Sequence, residues 1–144
     1  MTRYAPMTAD DIPEALALWS ASEGVGLRGA DEPGELARYL ARNPGLSIVA
    51  REDGRMVGAV LCGHDGRRGY LHHLAVAASH RRRGIGAALV ERCLAGLRGD
   101  GIAKCHLMVY HHNQAGQAFW RRIGWHARDD LLIMSRNLTG DSNA

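Results

Sequence analysis

Apolar residues return along the chain at two spacings, and the switches between them mark out the elements. Residues 1–7 read as a short edge strand. Ile12, Ala15, Leu16 and Trp19 recur three and four apart, which predicts a helix with one core-facing stripe. Thr8 or Asp10 can cap it, and Pro13 favours Asp10, because proline's missing N–H is harmless only in the first turn. Residues 21–34 are glycine-rich and predict irregular chain. A second helix is expected from about Glu35 to Arg42, where Asn43-Pro44-Gly45 stops it. Apolar runs at 46–51 and 55–62 flank Asp53-Gly54, a strong hairpin signal, and a turn at 65–69 leads into a third run at 70–77.

From Gly84 the spacing becomes helical again, with Leu89, Val90, Cys93, Leu94 and Leu97 on one stripe and Gly99-Asp100-Gly101 ending it. Residues 104–110 predict the next strand. Asn113 is a good N-cap for a helix through Arg122 whose apolar contacts are Ala115, Ala118, Phe119 and Ile123. Residues 125–128 and 131–136 predict a last hairpin, and 139–144 a disordered tail. No repeat or linker interrupts the order, so 1–138 reads as a single α+β domain, a sheet flanked by about four helices.

Composition narrows this little. The 144 residues suffice for one core, and no apolar run approaches the roughly 20 residues of a membrane span. The first residues lack the layout of a signal peptide, so the cytoplasm is the expected compartment. Cys62, Cys93 and Cys105 are an odd number in apolar segments, read as reduced buried thiols. The formal net charge of +3 is mild, but Arg81, Arg82 and Arg83 are consecutive and Arg67–Arg68 sit in a turn. Such clusters suit phosphates; without an aromatic stacking platform they do not indicate nucleic acid.

The stretch richest in chemistry leaves a strand at Leu74-Ala75-Val76 and opens a helix through Arg82-Arg83-Gly84-Ile85-Gly86-Ala87. The first N–H groups of a helix lack partners within it, and the helix dipole adds positive charge there. Gly84, Gly86 and Ala87 are small enough for a pyrophosphate to approach, and Arg82 and Arg83 supply charge. Taken alone, Gly-x-Gly is weak and fits an ordinary turn. A P-loop would need Gly-Lys-Ser/Thr, and a dinucleotide fingerprint would need a small residue where Leu89 stands.

From Leu71 to Trp125 the chain resembles the GNAT (GCN5-related N-acetyltransferase) superfamily. Its Arg/Gln-x-x-Gly-x-Gly/Ala signature is matched by Arg81 to Gly86, and its hydrophobic-Ala-Val triplet by Leu74-Ala75-Val76. Asn113, Trp120 and Gly124-Trp125 match its later landmarks. The resemblance implies a mixed, mostly antiparallel central sheet and transfer of an acetyl group from acetyl-CoA to an amine. It further implies that Leu74, Ala75 and Val76 pair with the pantetheine arm, and that N–H groups from Arg82 through Ala87, Ile85 included, hold the pyrophosphate. Arg81 belongs to the same signature, Asn113 would contact the cofactor arm, and Trp120 would lie near the thiol. Small relatives often pair, which leaves a homodimer open.

Transfer needs a proton acceptor for the amine, and many relatives carry Glu on the fourth strand where this chain has His72, followed by His73. Neutral imidazole is available as a base near pH 7. Adjacent strand residues face opposite sides, so one of the two is expected in the cleft, and the family register selects His72. Ribosomal-protein alanine acetyltransferases place Glu where Met108 stands, and methionine takes no proton. Relatives commonly protonate the departing thiolate with a Tyr at the position of Trp120, whose indole cannot serve as an acid. Tyr110, His111 and water are the candidate substitutes, Tyr110 first among the protein groups. The stretch 19–34, with Glu23, Arg28 and Asp31, is where relatives shape the acceptor pocket. Tyr110-His111-His112 lacks a convincing third ligand, so no metal is expected. An acyl-CoA sensor without chemistry is the alternative on the same fold.

Overall fold

A computed structural model describes all residues, 1–144. Five strands form one sheet in the order β1 (Arg3–Pro6), β2 (Ile48–Glu52), β3 (Arg55–His64), β4 (Gly69–Val76) and β5 (Cys105–Leu107). The first four are antiparallel neighbours, and β5 lies parallel to β4. A parallel neighbour needs a crossover, which α3 (Ile85–Gly99) supplies. Helices α1 (Ile12–Ser20) and α2 (Pro33–Arg42) precede β2, and α4 (Gln114–Arg122) follows β5. The sheet is therefore mixed and mostly antiparallel, as the resemblance implies.

Both faces of the sheet are covered. Ile48, Val60, Cys62 and Leu71 pack with Ile85, Leu89, Val90, Cys93 and Leu97 of α3. On the opposite face Val49, Ala59, Leu61 and Ala75 pack with Ile12, Ala15 and Trp19 of α1 and Leu36 of α2. This is why β3 is buried without alternation from Val57 to Gly63. The free thiols of Cys62 and Cys93 are buried in the α3 layer. Burial pushes the Cys105 thiol up to about 12.

Several expectations need correction. Asp10 is not the cap: a 3₁₀ turn at Ala9–Asp11 precedes α1, closed by the Asp11 carboxylate accepting the Thr8 N–H at 2.8 Å. Helix α2 begins at Pro33 rather than Glu35, since proline suits a first turn. The stretch 21–34 contains a second 3₁₀ turn, Gly29–Asp31. The fifth strand is shorter than 104–110, ending at Leu107. The expected hairpin at 125–136 does not form. Trp125 still packs against the α3 layer, but every residue from His126 onward is exposed, Leu132 by 89% and Met134 by 91%. With β5 only three residues long, little ladder remains for a further strand. The tail carries one tie, the Asn143 carbonyl accepting the Gly29 N–H at 2.8 Å.

Candidate active site

The parallel ladder between β4 and β5 runs from Gly69–Cys105 to Leu71–Leu107 and stops. Strand β4 continues to Val76, held on its other side by β3 through Ala75–Ala59 and Val76–Gly58. Leu74, Ala75 and Val76 thus border an opening in the sheet. Met108, Val109 and Tyr110, which follow β5, are exposed and pair with nothing on β4. An extended ligand can add to such an edge as a strand does.

The turn into α3 stands at the end of this opening. Arg82 and Gly84 have positive φ, 64° and 80°, while Arg83 between them does not. Alternating hands of backbone turn successive N–H groups toward one side, a shape that receives anions. None of the N–H groups from Arg82 through Ala87 makes a hydrogen bond; the first in use is that of Ala88, donated to the Gly84 carbonyl at 3.0 Å. Six adjacent donors are therefore free at the positive end of a 15-residue helix.

The two glycines have different tasks. Gly84 occupies a left-handed conformation with nothing within 4 Å of the place a Cβ would take. A Cβ on Gly86 would lie 3.2 Å from Phe119 Cζ and 3.7 Å from Val76 Cγ2, so its bare backbone lets α4 and β4 close on the turn. The arginines diverge. Arg81 Nε donates to the Val76 carbonyl at 3.3 Å, and Arg83 lies 3.7 Å from Glu52, which also meets His80 at 3.3 Å.

Across the opening, Asn113 caps α4, its Oδ1 accepting the Gly116 N–H at 2.9 Å. Trp120 stands edge-on to both Phe119 and Trp125, centroids 5.2 Å apart, against the α3 layer. Tyr110 stacks on His112 at 5.3 Å. The α1–α2 connection closes this side: ideal Cβ positions on Gly24 and Gly26 would fall 2.7 Å from Asn113 Nδ2 and 2.3 Å from the Tyr110 hydroxyl.

The histidines depart from the expected alternation. The register between β3 and β4 shifts between Leu61–His72 and Ala59–Ala75, so His73 and Leu74 together oppose Val60. His73 takes φ 57° within this bulge. As a result both rings lie on the α1–α2 face, with centroids 6.3 Å apart. His72 meets Tyr39 of α2 at 6.4 Å and lines a cavity of about 190 Å³ with Arg42, Asn43, His64 and Tyr70. Burial, then the nearby His73, hold its pKa below the usual histidine value. His73 meets Trp19 of α1 at 5.4 Å and is hydrogen-bonded to Asp31 at 2.8 Å. Period-two reasoning missed this pairing. Histidine's enrichment among non-glycine residues with positive φ was the one signal that pointed to it. No group of three His, Cys, Asp or Glu side chains is arranged to hold a metal ion.

Residues 14–125 match the model of the Acetyltransferase (GNAT) family. An acetyltransferase of Sodalis glossinidius is 32% identical over 133 residues, covering 92% of each chain. One of Pectobacterium atrosepticum is 33% identical over 128 residues, 88% of this chain and 89% of its own. Among solved structures, the PaiA N-acetyltransferase of Thermoplasma acidophilum, in complex with coenzyme A, superposes with a TM-score of 0.79. That likeness covers 90% of this chain and 92% of the other at 17% identity, and speaks for the fold alone. With a family match across most of its length and relatives of this kind, the chain belongs to the acetyltransferase (GNAT) family.

Proposed function

We propose that the protein transfers an acetyl group from acetyl-CoA to a primary amine of a small molecule or protein, within a complex of all three. The observation that carries this reading is the run of six unbonded N–H groups, Arg82 through Ala87, at the foot of the open β4 edge. Those donors fit a pyrophosphate, and the edge at Leu74, Ala75 and Val76 fits the amide-bearing pantetheine arm. Arg81 secures the turn through the Val76 carbonyl, while Asn113 and Trp120 form the α4 wall of the arm's channel. When bound, acetyl-CoA supplies the activated acetyl group. The residues present suit it, as the PaiA complex with coenzyme A suits the same fold.

The acceptor side is the α1–α2 face of β4. His72, the residue in the family's base register, stands there in its cavity, where burial holds its pKa below the usual histidine value. Tyr110, half exposed, is the acid proposed to protonate the departing thiol sulfur. Three unpaired cysteines fit a reducing compartment, and we assign the protein to the cytoplasm.

Thiol release measured against a panel of primary amines tests the reading. Amine-dependent release with stoichiometric acetylated product is expected. Binding of acetyl-CoA without transfer to any amine would instead make the protein an acyl-CoA sensor.

A further inference from the structure

The two imidazoles on the α1–α2 face of β4 have unequal surroundings. His73 Nε2 lies 2.8 Å from Asp31 Oδ1, with the two side chains only 18% and 10% exposed. The other carboxylate oxygen accepts the Arg28 N–H at 2.9 Å, so Asp31 is fixed from both sides. A carboxylate only accepts; the ring proton therefore sits on Nε2, and Nδ1 keeps a free lone pair. His72 makes no such bond; its ring meets those of Tyr39 and His73 and faces the cavity. His73 also directly precedes Leu74, the first of the three residues that border the opening. Its left-handed backbone, unfavourable for any side chain, is what brings the ring to this face.

We infer that His73 takes the proton from the acceptor amine, with Asp31 as its positioning residue, while His72 lines the neighbouring cavity. The inference rests on the acetyl-transfer reading above. The acceptor ammonium gives one proton to His73 Nδ1. The freed lone pair forms the C–N bond to the acetyl carbon as the C–S bond breaks, its electron pair remaining on sulfur. A second proton leaves nitrogen and ends on sulfur, and His73 returns its own to solvent. Asp31 balances the imidazolium meanwhile, the role a carboxylate plays behind a catalytic histidine. The titratable groups meeting His73 are Asp31, from the Gly29–Asp31 turn, and His72, on its own strand. Helix α1 presents the uncharged indole of Trp19.

The test pairs calorimetric acetyl-CoA binding with amine-dependent thiol release. His73→Gly suits the positive φ, so it should fold and bind acetyl-CoA as wild type does. It should lose ~100-fold or more in kcat/KM for the amine, and free imidazole should restore part of the loss. Asp31→Asn should lower kcat for the amine ~10-fold or more with KM and acetyl-CoA affinity close to wild type, because an amide no longer fixes the tautomer and orientation of the ring. Wild-type transfer by His73→Gly would overturn the inference and leave the transfer reading intact. So would imidazole rescue of His72→Gly in place of His73→Gly, or a wild-type kcat in Asp31→Asn. A wild-type protein that binds acetyl-CoA yet acetylates no amine would overturn both.

Discussion

Gly84 and Gly86 look interchangeable in the motif and are not. At Gly84 the constraint is conformational: φ is 80° and the surrounding space is empty. Gly84→Ala should therefore cost about 1 kcal/mol through backbone strain alone. In a domain of this size that is a fall of roughly 2–4 °C in melting temperature. An unchanged melting temperature would show that the turn does not hold this conformation. At Gly86 the constraint is contact with Phe119, a reason that can be read only once α4 is in place. The histidines teach a similar lesson. Their presence beside the Leu-Ala-Val triplet was legible, but one extra residue opposite Val60 reverses the face of His73. Chain alternation alone does not report such a shift.

At the scale of elements, legibility followed the length of the periodic signal. Helix α3 carries four turns of consistent spacing, and the expected stripe is buried apart from the partly exposed Leu94. The hairpin through Asp53-Gly54 also formed as read, with Glu52 and Arg55 facing each other. The last hairpin did not, because four consecutive apolar residues from Leu131 to Met134 give no alternation and β5 offers only a short edge. One joint between elements was invisible beforehand. Asn43, 5% exposed, donates from Nδ2 to the Tyr39 carbonyl at 3.3 Å and accepts the His64 N–H at 3.0 Å. It ties the end of α2 to the end of β3 beside the His72 cavity. Asn43→Ala would strand buried polar groups and should destabilise the fold by about 1–3 kcal/mol. Equilibrium urea unfolding measures this, and a loss below a few tenths would mean the joint is dispensable.

For the whole molecule, the site arises because a mostly antiparallel sheet ends in one parallel strand that stays paired for only three residues. Beyond Leu71 the two strands part. The crossover helix α3 then starts at the end of that opening, its free N–H groups beside the unpaired β4 edge. The loop from α1 to α2 closes the opposite side through Gly24, Gly26 and Asp31. The glycine turn and the Leu-Ala-Val triplet were readable as chemistry from the chain. The parting of the strands was not, since it depends on where pairing stops and not on any single residue. Calorimetric titration with acetyl-CoA and, separately, with pantetheine lacking the pyrophosphate tests this arrangement most directly. Binding of acetyl-CoA at one site, with affinity largely lost for pantetheine, is the expected result; equal affinity for both, or no binding of acetyl-CoA, would contradict it.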